Sequence, residues 1–192
     1  MIGETKMRRY LIAICAVMAM GLAILTIPAK SQQDKSKRPS PPASAQCSLP
    51  GGHSINTDYS SPRMKGRKVY GDMVPWGQVW RAGANEATTF VTDTDLVVGG
   101  KPVPAGSYTI FVVPDATMWS LIVQKTTGEW GIPYPPVKPP DAGELLRTDM
   151  TVSSLPAPVE NFTISYAPAD GGCTLQMDWE TTRAWVKISP KM

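Results

Sequence analysis

SYTIFVVPDATMWSLIV, residues 107–123, decides the fold class. SYTIFVV and WSLIV are apolar at nearly every position, too short for buried helices and rich in β-branched and aromatic residues. They read as central strands covered on both faces, joined by a turn. Outward from them the chain alternates. Residues 161–166 place Phe162, Ile164 and Tyr166 on one face, and 174–179 place Leu175, Met177 and Trp179 likewise. Gly99-Gly100 and Asp170-Gly171-Gly172 are hairpin signals between such runs, and Glu180-Thr181 is read as a further turn before 184–188. A strand around 147–152 follows one helical turn at 141–146, and GIPYPPVKPPD at 131–141 reads as an extended surface crossing. No window beyond the N-terminus sustains a helical period. The expectation is one all-β domain over 46–192, an antiparallel β-sandwich of about eight strands.

Ahead of it, Lys6, Arg8 and Arg9 precede an apolar run from Tyr10 to Ile27, then Ala29-Lys30-Ser31. That is the pattern of an export signal over 1–31 cleaved after Ser31, or of an uncleaved membrane-anchor helix, since the run approaches the ~18 residues that can span a bilayer. Either way the remainder is placed outside the cytoplasm, periplasmic or secreted, with the membrane touched only through this segment. QQDKSKRPSPPASA at 32–45 has too little apolar content to offset the entropy of ordering it and reads as a disordered linker.

The net charge of +3 comes from the N-terminal segments; from Gln46 onward there are 12 basic and 14 acidic residues. A slightly acidic domain lacks the sustained basic face that nucleic acid requires, so no nucleic-acid partner is expected. His53 is the sole histidine, which excludes a multi-histidine metal site. No cofactor motif is present, and neither metal nor cofactor is expected. Outside the leader, Cys47 and Cys173 form an even pair in an oxidising compartment, read as a disulfide, with two unpaired thiols as the alternative.

The basic residues are unevenly spread. Arg63, Lys65, Arg67, Lys68 and Arg81 fall within nineteen positions that contain only Asp72 as an acid. Arg67 and Arg81 offer rigid forks for carboxylate or phosphate, and Trp76 and Trp80 can stack on a sugar or on the arginines. In Gly83-Ala84-Asn85-Glu86 the Asn85 side chain is expected to bind local backbone and leave Glu86 projecting. The structural alternative is that Arg81 pairs with Glu86 while Trp80 fills the core. The ligand-binding candidates are therefore Arg67, Trp76, Trp80, Arg81, Asn85 and Glu86, and Glu86 is the candidate catalytic carboxylate.

SPRMKGRKVYG, then MVPWGQVWRAGANEATT, VGGKPVPAGSYTIFVVP and MWSLIVQK closely resemble the exported bacterial family called domain of unknown function 2911. The resemblance runs from about residue 53 to 188 and takes in Leu145-Leu146-Arg147, FTISYAP and MDWETTRAWVKI. It places the family's motif core on Gly66, Arg67, Gly71, Pro75, Gly77, Trp80, Arg81, Gly83, Ala84, Asn85, Glu86 and Thr88. It implies an exported β-rich domain and carries no established activity.

Three functions remain in view: binding of a small anionic or carbohydrate ligand through the Arg/Trp cluster, hydrolysis by Glu86 with Arg67 or Arg81 stabilising charge, and a structural or protein-interaction role in the cell envelope.

Overall fold

A computed structural model of the chain describes residues 34–125 and 143–191. The expected signal or anchor helix and the proline-rich crossing lie outside the described residues. Among the described residues nine strands form one antiparallel sheet, in the order β1-β2-β3-β6-β7-β8-β9-β4-β5. They are β1 (Pro42–Ser48), β2 (Ser54–Ser60), β3 (Thr89–Thr92), β4 (Leu96–Val98), β5 (Lys101–Val103), β6 (Gly106–Val113), β7 (Met118–Gln124), β8 (Glu144–Ala169) and β9 (Gly172–Pro190). There is no α-helix among the described residues, and the expected helical turn at 141–146 is already strand from Glu144.

β6 and β7 are the stretch that decides the fold, and they pair through Val112 and Leu121 in mid-sheet. Ile110, Val112, Leu121 and Val123 are buried on one face, and Phe111 and Ile122 on the other, as a run without alternation requires. Both predicted hairpins form. Gly99 and Gly100 take φ of 54° and 83° between β4 and β5, and the chain turns at Asp170-Gly171 between β8 and β9.

The number and joining of the strands depart from expectation. Two expected strands, around 147–152 and 161–166, are one strand, β8, and Glu180-Thr181 does not turn the chain but lies within β9. Ser154 faces Thr182, Val159 faces Glu180 and Thr163 faces Asp178, so β8 carries extra residues at two bulges while Glu180 sits at φ 54° opposite them. A bulge bends a strand and raises its twist. The bend is fastened by Arg183, which donates from Nε and Nη2 to the two carboxylate oxygens of Asp178 at 2.8 and 2.6 Å. This fork raises the Arg183 guanidinium above its usual range, the bond to Asp178 outweighing burial.

Beyond the bend the hairpin folds back over the sheet to which it belongs. Tyr166 and Thr57 of β2 share a hydroxyl hydrogen bond of 2.7 Å, and the Ile164 N–H donates to the Tyr59 hydroxyl at 3.1 Å. Burial raises the pKa of both phenols. Cys47 of β1 is bonded to Cys173 of β9 across a sequence separation of 126, which in the chain-entropy view contributes about 4 to 5 kcal/mol. The two packed layers expected of a sandwich are therefore one sheet doubled over, with Phe162, Leu175, Met177 and Trp179 sealed between its halves.

The linker reading of 32–45 also gives way. Lys35–Lys37 form a 3₁₀ turn, and Pro42 to Ala45 pair with β2. Although polar, this segment gains backbone partners from an open sheet edge, a gain that composition does not register.

A Cβ on Gly172 would drive into the backbone carbonyl of Ile188, where the start of β9 lies on its own far end. Gly171, at φ 69°, has open space around it. Gly172→Ala should cost about 2 to 3 kcal/mol by overpacking. Gly171→Ala should cost only about 1 kcal/mol of backbone strain. Urea denaturation midpoints of the two variants check the order, which reverses if the doubled-over arrangement is incorrect.

Candidate functional site

The residues between β2 and β3, 61–88, form a long irregular excursion anchored at both ends. Its first part is captured by the β8 bulge. Phe162 N donates to Pro62 O at 2.9 Å, Met64 N to Glu160 O at 2.9 Å, and Lys65 N to the Glu160 carboxylate at 2.8 Å. The Ser61 hydroxyl donates to Phe162 O at 2.7 Å. Its last part extends the sheet beside β6: Trp80 N donates to Val112 O at 2.7 Å and Trp80 O accepts from Val112 N at 2.8 Å, while Ile110 N donates to Thr88 O at 3.0 Å. Lys65, Ala82 and Asn85 hold φ between 50° and 57° without being glycine. Left-handed backbone at such residues costs about 1 kcal/mol or more each and concentrates at functional sites.

Between these anchors lies a cleft of about 630 Å³. Arg63, Lys65, Arg67 and Arg81 line it, with Met73 and Trp80 supplying its accessible apolar surface over the buried Val74 and Trp179. No aspartate or glutamate stands among the described residues that line it. The guanidinium groups are held by neutral oxygens. Arg67 donates from Nε to Met64 O at 2.9 Å and from Nη2 to Arg63 O at 2.8 Å, Arg63 from Nη1 to the Ser61 hydroxyl at 2.8 Å, and Arg81 from Nη1 to Asn85 O at 3.3 Å. These bonds orient the cations without neutralising them.

Under the cleft the indoles of Trp80 and Trp179 stack at 5.7 Å and 19°, and Phe162 meets Trp80 edge-on at 4.8 Å. Trp179 is fixed by its Nε1–H, which donates to Glu160 O at 3.1 Å. Glu160 thus holds both the cationic turn and the aromatic bed. Tyr70 joins this bed against Trp119, and burial, with Glu180 and Asp178 nearby, raises its pKa so that it stays neutral.

Pro39 and Ser40 form one wall of the cleft. Asn85 does not bind local backbone as its turn position suggests; its Nδ2 donates to Ser40 O at 2.9 Å and ties the N-terminal strap down. Glu86 turns away from the cleft into a separate depression, where Arg38 donates to both its oxygens at 2.9 and 3.0 Å and Lys35 approaches to 2.9 Å. The alternative pairing of Glu86 with Arg81 is not formed. Burial works to raise the Glu86 pKa, but the bonds from Arg38 and Lys35 prevail and hold it at about 2. A carboxyl so acidic has no proton to give at neutral pH, and it has no place among the cleft cations. Hydrolysis by Glu86 with Arg67 or Arg81 has no support in this geometry.

Of the residues singled out in the sequence, Arg67, Trp80, Arg81 and Asn85 line the cleft together. Trp76 does not; it stacks on Tyr70 at 5.4 Å and is 42% exposed. Arg63 and Lys65 belong to the site and stood in the same basic run. Trp179, Pro39 and Ser40 carried no signal, because they arrive from the middle of β9 and from the supposed linker. The three-carboxylate or cysteine clusters that bind metals are absent among the described residues.

The family described as "Protein of unknown function (DUF2911)" matches residues 40–188. The chain belongs to that family. The match begins at Ser40, so it takes in the strap wall and β1 as well as the cleft. No curated protein and no solved structure matches the chain.

Glu86 has a folded pKa below its ordinary 4.5, so its pairing contributes stability that is present above that value and lost as pH falls through about 2. Because the carboxylate is 36% exposed, screening reduces the contribution to about 1 kcal/mol. Glu86→Gln should therefore lower stability by that amount at pH 7, with the gap to wild type closing between pH 4.5 and 2. Paired thermal melts across pH check this; a gap unchanged at pH 2 contradicts the pairing.

Proposed function

We propose that this is an extracytoplasmic binding domain that receives a small anionic ligand in the cleft between the 61–67 turn, the 80–85 segment and the N-terminal strap. The observation that carries the reading is that Arg63, Lys65, Arg67 and Arg81 line one concavity with no carboxylate among its described lining residues. Cations confined together repel one another, and an anion that enters relieves the repulsion while finding donors already oriented by backbone oxygens. The volume lies within the range typical of small-molecule sites. A location outside the cytoplasm accords with the Cys47–Cys173 disulfide and with the leader pattern of 1–31. Among the described residues no helix is long and apolar enough to cross a membrane.

An interaction role through a sheet edge has less to recommend it. Of the two edge strands, β5 is three residues long and contains Pro102, two of the features by which edges discourage further pairing, while β1 begins with Pro42 and is bonded through Cys47 to the returning β9.

Thermal-shift screening of organic acids, phosphates and neutral sugars tests the proposal. An anion at a hundredfold excess over its Kd should raise Tm by roughly 5 °C or more, and Arg81→Ala should abolish the shift. Stabilisation by neutral sugars alone, or by no compound, would refute it.

A further inference from the structure

We infer that the ligand is a compact polyanion built on an apolar or ring-shaped body, with two or more negatively charged groups on one face. The inference rests on the anion-binding reading and specifies its chemistry from two features of the cleft that act separately.

The first is charge number. Four cations share about 630 Å³. A ligand with a single negative charge would leave most of their mutual repulsion in place, whereas two or three negative groups would cancel the bulk of it. The donors are also divided. Arg63 and Arg81 are half-buried and each commits only Nη1 to a described oxygen, so both forks keep further N–H groups for a ligand. Arg67 and Lys65 are exposed, farther out on the turn held by Glu160. A single carboxylate, with two oxygens, meets fewer of these donors than a ligand bearing several anionic groups, which can bridge the inner and outer pairs.

The second is the apolar surface. Simple inorganic anions and acetate would leave the half-buried Met73 and Trp80 surface in contact with water. A ring or hydrocarbon body would cover it, and each buried methylene equivalent contributes about 0.8 kcal/mol. Because the Trp80 indole is set by its pairing with Val112 and by Trp179 beneath it, that surface is preformed and does not have to be ordered on binding.

Calorimetric titration of the purified protein with acetate, benzoate, tricarballylate and benzene-1,3,5-tricarboxylate, at one ionic strength and a pH where all are ionised, separates charge from ring. The aromatic tricarboxylate should bind roughly tenfold or more tighter than both benzoate and tricarballylate, with acetate weakest. Arg81→Gln should narrow its advantage over benzoate, and Arg67→Gln, at an exposed position, should do so with the fold undisturbed. If benzoate matches the aromatic tricarboxylate, charge number is not read; if tricarballylate matches it, the body is not read. Either result overturns this inference while leaving anion binding in place. No binding by any of the four overturns both.

Discussion

The fork from Arg183 to Asp178 closes the bend in β9, and most of what distinguishes this domain follows from that bend. Without it, β8 and β9 would run on as a long exposed hairpin with one face of the sheet bare. With it, the outer halves of the two strands return over β1 and β2 and seal Phe162, Leu175, Met177 and Trp179. The same bulges leave Glu160 and Phe162 with backbone groups that β9 does not satisfy. Buried N–H and C=O groups must be paired, and here the 61–67 turn pairs them. Covering the core and building the cleft are thus one event.

The cleft gathers strained and like-charged groups that the rest of the fold has to hold. Three non-glycine residues in left-handed backbone and four cations in one concavity are each unfavourable, and they persist because Glu160, Val112 and Ser40 fix the segments that carry them. The strap contributes to the same balance. Of its charges, Lys35 and Arg38 face Glu86 and Lys37 pairs with Asp34, and none lines the cleft, to which the strap presents Pro39 and Ser40 as a neutral wall. That arrangement keeps the site cationic without adding to its repulsion.

What was legible in the sequence was local. β6 and β7 declared themselves by apolar residues at successive positions, the Gly-Gly and Asp-Gly turns by their need for positive φ, and the two cysteines by elimination. Four cations of the basic run between Arg63 and Arg81 line the cleft, and Lys68 does not. What failed was anything set by register over distance. Glu180-Thr181 looks like a chain break, because a bulge and a turn use the same residues; only the partner strand tells them apart. Glu86 stood beside Arg81 in sequence, but its partners came from a segment whose composition reads as disordered. Trp179 joined the site from an alternating strand in which it carried no functional signal.

Residue-resolved native-state hydrogen exchange tests the central claim, that the bent hairpin holds the cleft, most directly. The amides of Met64 and Phe162, bonded to Glu160 and Pro62, should exchange only with global unfolding, at the free energy of Ile110 and Val112 in β6. Exchange of Met64 and Phe162 at open-loop rates, while the β6 amides remain protected, would contradict it.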